Sequence, residues 1–140
     1  MNYQILLVTH SRMAEGIKDT LTMIAGDNDR VRYLTMYCDP NIDYQKVVYE
    51  AVAQHDYSAS DLVVITDIAG GSVNTEFMKH LNRYPFHLIT GLSLPMLLEI
   101  AFPSEADIGT QLRLVARNAG IYGVYCNDML NDAKQTDSLF

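Results

Sequence analysis

The chain has 140 residues, of which 49% are hydrophobic and 19% are charged, a composition typical of one globular domain. Lysine and arginine number 10 against 17 aspartates and glutamates, which gives a formal net charge of −7. No basic cluster alternates with aromatic residues, and this argues against nucleic acid or an anionic membrane surface as a partner.

The cysteines and the apolar segments indicate the compartment. Cys38 and Cys126 have neither C-x-x-C nor metal-ligand spacing, so we expect reduced thiols. The sequence has no obvious metal cluster or Walker-type glycine-lysine loop, and we expect neither a metal nor a cofactor. No apolar run approaches the about 18 residues of a membrane span, and the N-terminus lacks a basic and apolar signal region. We therefore expect a cytoplasmic protein.

Predicted strands and helices alternate along the chain. Ile5–Val8 is a short apolar strand before a helix that begins near Arg12, for which Ser11 is the expected cap. Leu62–Ile65 is a continuous apolar run typical of a buried parallel strand. The other predicted elements are strands at Val31–Met36, Phe86–Ile89 and Ile121–Cys126, and helices over Tyr44–His55, Ser72–Leu81, from Leu94, and over Asp107–Ala119.

This alternation predicts an α/β fold with a doubly wound, mainly parallel sheet and helices on both faces. A flavodoxin-like strand order, 2-1-3-4, places strands 1 and 3 side by side at the switch point where ligands bind. We expect one domain over residues 1–127 and a polar tail over 128–140.

Strands 1 and 3 each end at a residue suited to chemistry. His10 lies between a buried strand and a helix N-terminus, which favours anions and phosphoryl groups. Asp67 follows strand 3, and adjacent strands lie about 4.8 Å apart, so the two side chains can meet. A carboxylate that fixes the imidazole tautomer leaves the other ring nitrogen free to attack. We therefore predict that His10 carries a phosphoryl group and that Asp67 orients it.

The loop after strand 3 contains two glycines and a serine, and consecutive N–H groups in such a loop can form a concave anion site. We expect the amides at Gly71 and Ser72, together with the Ser11 end of the first helix, to bind the phosphoryl oxygens.

Three ordered motifs, VTHS at 8–11, DIAGGSVN at 67–74 and GLSLPMLLE at 91–99, carry a resemblance to a known family. They resemble the enzyme IIA component of the mannose family of the bacterial phosphoenolpyruvate-dependent sugar phosphotransferase system (PTS). His10 matches the family's phosphorylated histidine, which reacts through Nε2. Asp67 matches the acid that orients it, and Ser72 the hydroxyl of the GGS loop. The chain has Ser11, Val73 and Ser93 where the family usually has glycine, proline and asparagine.

The resemblance implies a phosphotransferase with a phosphohistidine intermediate, assembled as a cytoplasmic homodimer whose sheet has an antiparallel fifth strand. The donor would be the phosphohistidine carrier protein HPr. The acceptor would be a IIB component, which alone would connect the protein to a membrane transporter. No Ala- or Pro-rich linker follows the domain, so we expect IIB to be a separate chain.

Two other functions fit parts of the pattern. One is the phosphocarrier subunit of a dihydroxyacetone kinase, which has a similar fold. Relatives of that subunit tend to lack complete GGSxN and LPM motifs. The other is a noncatalytic, phosphorylation-dependent regulatory domain or flavodoxin-like module. A flavin binder would need a hydroxyl-rich phosphate loop after strand 1, and His10 interrupts that loop.

Overall fold

The computed structural model describes residues 2–118 and 123–130. Four strands and five helices lie within the first of these ranges, and they alternate up to the fourth helix, which the fifth follows directly. The strands are β1 (Tyr3–His10), β2 (Val31–Met36), β3 (Asp61–Thr66) and β4 (His87–Thr90), and the helices are α1 (Met13–Ala25), α2 (Tyr44–Ala53), α3 (Ser72–Met78), α4 (Leu94–Ala101) and α5 (Ile108–Asn118). No helix among the described residues is long and apolar enough to cross a membrane.

The four strands form one parallel sheet in the order β2-β1-β3-β4, which confirms the predicted α/β architecture. In the register of the sheet, His10 lies opposite Met36 of β2, and Val8 lies opposite Thr66 of β3. The carboxyl ends of β1, β2 and β3 therefore meet at one edge, and the loops that follow them are neighbours.

The sheet separates two hydrophobic cores. Ile5 and Leu7 of β1 face the core shared with α1, α4 and α5, whereas Leu6 and Val8 face the core shared with α2 and α3. A strand buried on both faces needs apolar side chains at successive positions, which explains the continuous apolar runs of β1 and β3. Helices cover both faces, as the doubly wound prediction requires.

The predicted fifth, antiparallel strand over Ile121–Cys126 is not present in the described part of the chain. Residues 119–122 lie outside that part, 123–125 have no regular secondary structure, and 126–130 are helical. Val124 and Tyr125 have the side chains of a strand but are 62% and 68% exposed. Strand propensity reflects packing against neighbouring strands, so these residues have no reason to extend without a paired edge. Most of the predicted tail, 131–140, also lies outside the described residues.

The start of α4 shows how the chain accommodates a residue that departs from the family pattern. Ser93 precedes the helix, and its hydroxyl accepts a hydrogen bond from the Met96 amide at 3.2 Å. Serine is a favourable N-cap, and Pro95 in the first turn needs no N–H partner. Ser93 therefore caps the helix in place of the usual asparagine.

Candidate functional site

His10 is the last residue of β1, and three contacts position it. Its backbone N–H donates to Asp67 Oδ2 at 2.9 Å, and its Nδ1 lies 2.7 Å from the same oxygen. Its Nε2 lies 3.1 Å from Ser72 Oγ. The side chain remains 43% exposed, so Nε2 and the Ser72 hydroxyl stand at the rim of the site. The structure thus brings together the three side chains that the sequence predicted.

Asp67 determines which nitrogen of the His10 imidazole carries the proton. Its side chain is only 12% exposed, and its Oδ1 also accepts from the Ile68 amide at 3.1 Å. Burial alone would raise the pKa of Asp67, but hydrogen bonds from the His10 backbone and ring, and the attraction of the ring charge, outweigh it and lower the pKa. An ionised carboxylate only accepts hydrogen bonds, so Nδ1 carries the proton. When the ring is neutral, its lone pair therefore lies on Nε2.

The turn between β1 and α1 differs from the prediction that Ser11 caps the helix. The Thr9 hydroxyl accepts from the Ala14 amide at 2.8 Å and caps α1 from inside the sheet. Ser11 instead adopts a left-handed conformation, with φ of 53°. Its amide donates to the Met36 carbonyl at 2.9 Å, which leaves only the exposed hydroxyl for a phosphoryl group.

The left-handed conformation at Ser11 leads to a stability prediction. Left-handed backbone costs a residue with a Cβ about 1–2 kcal/mol, a cost that glycine avoids. We therefore expect Ser11→Gly to have a free energy of unfolding about 1 kcal/mol higher than the matched control Ser11→Ala. Denaturant unfolding measures this difference. If the alanine variant were the more stable of the two, as at an ordinary site, the conformation assigned to Ser11 would be wrong.

The loop between β3 and α3 places Ser72 against His10. Gly70 has a φ of 77°, and the Gly71 amide donates to the Ile68 carbonyl at 3.2 Å. The Gly71 amide is therefore engaged in this turn, whereas Ser72 begins α3, where the first N–H groups have no acceptor within the helix. Of the two amides predicted to bind the phosphoryl group, only that of Ser72 belongs to the helix start.

A buried hydrogen bond anchors this loop. The Thr66 hydroxyl donates to Oδ1 of Asn74 at 2.7 Å, and both residues are buried. It joins the end of β3 to the first turn of α3 on either side of the loop. Polar groups buried in this way are costly to leave unpaired, so the bond helps to hold Asp67 and Ser72 in register with His10.

Gly71 is the position where a side chain would most disturb the site. A Cβ there would lie 2.8 Å from Ile68 Cγ2 and 3.3 Å from His10 Cε1. We expect Gly71→Ala to push the imidazole away from Ser72 and to slow the predicted phosphoryl acceptance about 10- to 100-fold, because a misplacement of about 1 Å can cost about 100-fold in rate. Initial rates of labelling would measure the change. Gly70→Asn is the matched control in the same loop. Gly70 has a left-handed conformation that asparagine tolerates, so this variant should retain most of the rate.

Tyr37 belongs to the site, and the sequence reasoning missed it. It follows β2, and its ring centroid lies 5.5 Å from that of His10 with the planes tilted by 49°. The available signal was positional, because β2 neighbours β1 and ends at the same edge of the sheet. A residue just beyond a strand end at a switch point is a candidate whatever its chemistry.

Comparisons with known proteins give a consistent result. A sequence model of the family described as the PTS fructose IIA component, EIIA-man, matches residues 4–113. A Klebsiella pneumoniae protein described as a permease of the phosphoenolpyruvate-dependent sugar PTS is 30% identical, with a TM-score of 0.83 over 93% of this chain and 95% of that chain.

Two further solved structures are similar. A PTS IIA protein associated with the fucose utilization operon of Streptococcus pneumoniae is 26% identical, with a TM-score of 0.74 over 93% of this chain and 97% of that one. A mannose/sorbose-specific IIA subunit of Enterococcus faecalis is 20% identical, with a TM-score of 0.71 over 89% and 96%. This last similarity concerns the fold alone.

Proposed function

Because the chain belongs to the EIIA-man family of IIA components of the sugar phosphotransferase system, we propose that it is a phosphohistidine carrier. His10 accepts a phosphoryl group from phospho-HPr and passes it to a IIB component of a mannose-family sugar transporter. The observation that carries this proposal is the contact of Nδ1 with the Asp67 carboxylate at 2.7 Å, which leaves Nε2 as the nucleophile.

The chemistry follows from that contact. The Nε2 lone pair attacks the phosphorus, the P–N bond of the donor phosphohistidine breaks, and the donor imidazole keeps the electron pair. No acid has to protonate such a leaving group. The His10 ring gains positive charge as the new bond forms, and the Asp67 carboxylate stabilises it through Nδ1–H. Transfer to IIB reverses these roles, so positioning and charge stabilisation supply most of the catalysis.

Ser72 is the proposed phosphoryl ligand. Its hydroxyl lies 3.1 Å from Nε2, close to where the phosphoryl oxygens would come. Once Nε2 is bonded to phosphorus it no longer accepts a hydrogen bond, so the hydroxyl can turn its proton to a phosphoryl oxygen. The Ser72 amide would add a second donor, and the exposed Ser11 hydroxyl, in the residue after His10, a third.

The assembly is proposed on the same basis. The family match, residues 4–113, falls inside the proposed IIA domain of residues 1–127. We propose that this domain acts in the cytoplasm as a homodimer and reaches the membrane only through IIB. Sedimentation equilibrium of the purified chain would give its mass, and a monomer at micromolar concentration would contradict the dimer.

Reconstitution of the phosphoryl relay tests the function. The purified chain is incubated with phosphoenolpyruvate, enzyme I and HPr, and its intact mass is measured. We expect one acid-labile phosphoryl group that depends on HPr and is lost when a cognate IIB is added. A chain that gains no mass, although HPr itself is phosphorylated, would refute the assignment of HPr as donor.

A further inference from the structure

We propose that Tyr37 is a positioning residue that covers one side of the His10 imidazole and protects the phosphohistidine from water. This inference rests on the proposed function, because it concerns the phosphorylated state of His10. It assigns a role to an aromatic contact at 5.5 Å that the phosphoryl chemistry itself does not use.

Tyr37 approaches the imidazole from the opposite side to the other contacts. β1 lies between β2 and β3, so a residue that follows β2 and residues that follow β3 flank the end of β1 from opposite directions. Asp67 and Ser72 both follow β3, and they contact Nδ1 and Nε2 of the ring. Tyr37 follows β2, so we infer from the strand order that its ring lies on the β2 side of His10, with the two ring centroids 5.5 Å apart.

The backbone holds Tyr37 in an uncommon conformation. Its φ is 65°, and among the described residues only Ser11 shares a positive φ without being glycine. Both of these residues stand beside His10, one directly after it and the other after its partner in β2, Met36. For a bulky residue such a conformation persists only when the surroundings determine it, and such residues cluster at functional sites.

Tyr44 supplies the surroundings that hold the Tyr37 ring. Its ring meets that of Tyr37 edge-on, with centroids 5.2 Å apart, and it packs against the core between the sheet and α2. The Tyr44 hydroxyl accepts a hydrogen bond from the Asp39 amide at 2.9 Å, which fixes the loop between the two tyrosines. Tyr37 is 49% exposed, but its ring contacts both Tyr44 and His10.

The consequence concerns the competing hydrolysis of phosphohistidine. In that reaction water attacks the phosphorus, the P–N bond breaks, and Nε2 takes the electron pair while inorganic phosphate and a proton are released. A ring packed on the imidazole restricts its rotation and removes one direction of approach for water. Tyr37 therefore lengthens the lifetime of the phosphorylated protein between donor and acceptor.

Variants at Tyr37 distinguish the effect of the aromatic ring from the effect of the backbone conformation. Tyr37→Gly and Tyr37→Asn remove the ring, and both residues accept a positive φ, so neither should unfold the loop. Tyr37→Phe keeps the ring and is the matched control. The proteins are phosphorylated with phosphoramidate, a small donor that requires neither HPr nor IIB, and the decay of the phosphorylated species that is missing from His10→Ala is followed by intact mass at neutral pH.

We expect the Gly and Asn variants to lose phosphate about three- to tenfold faster than wild type, the effect of losing one aromatic contact, and Tyr37→Phe to match wild type. Wild-type lifetimes in both ringless variants would overturn the proposal, as would a Phe variant that decays as fast as they do. Failure of the proposed function would show differently, as absence of HPr-dependent labelling in the wild-type chain with phosphoramidate labelling intact.

Discussion

Replacing His10 with alanine should abolish phosphoryl acceptance from phospho-HPr and leave the fold intact. The imidazole is 43% exposed at the end of β1 and contributes little to either core. Its backbone N–H would still donate to Asp67, so the turn after β1 keeps one of its two bonds to that carboxylate. We expect the free energy of unfolding to change by about 1 kcal/mol or less, the usual value of one partly exposed hydrogen bond.

The measurement pairs this variant with His80→Ala. His80 lies beyond α3, where its ring contacts Tyr49 rather than the site, so its loss should leave labelling unchanged. Intact-mass analysis after the relay reaction should therefore show one phosphoryl group on wild type and His80→Ala, and none on His10→Ala. Labelling of His10→Ala at the wild-type level would place the phosphoryl group on another residue.

The sheet could be predicted from the sequence because burial on both faces leaves a clear pattern. The apolar runs of β1 and β3 are typical of covered parallel strands, and the alternation with helices restricts the connections to few topologies. The order 2-1-3-4 then implied the meeting of His10 and Asp67, which the structure gives as a 2.7 Å contact. Long-range topology was thus enough to bring together two residues separated by 57 positions.

The loops could not be predicted in the same way, because their conformations depend on contacts that no local pattern encodes. Thr9 caps α1 from five residues before the amide it binds, which frees Ser11 to adopt its left-handed conformation. Tyr37 lies beside His10 at the end of β2, where its ring also contacts Tyr44 of the next helix. The last predicted strand is not seen in the described part of the chain, where Val124 and Tyr125 have strand-forming side chains but are largely exposed.

Replacing Asp67 with asparagine should slow phosphoryl acceptance about 100-fold without preventing it, because the nucleophile remains while its charged orienting group is lost. Asparagine is nearly isosteric and can still accept from the His10 backbone N–H, so the loss of rate reports on charge and tautomer. Asp107→Asn is the matched control. That exposed carboxylate accepts from Thr110 at the start of α5, and hydrogen bonds from Thr110 likewise lower its pKa.

The same variant has a pH signature that separates electrostatics from packing. The pKa of Asp67 is lowered below the ordinary 3.8, so its ionised form stabilises the folded chain. That contribution to the free energy of unfolding is fully present above about pH 5. It is lost as the pH falls through the pKa of Asp67 in the folded chain, which lies below 3.8. We therefore expect wild type to exceed Asp67→Asn in free energy of unfolding by about 1–3 kcal/mol near neutral pH, and the gap to narrow in acid. A gap that stays constant from pH 7 to about pH 3 would mean that Asp67 acts through shape rather than charge.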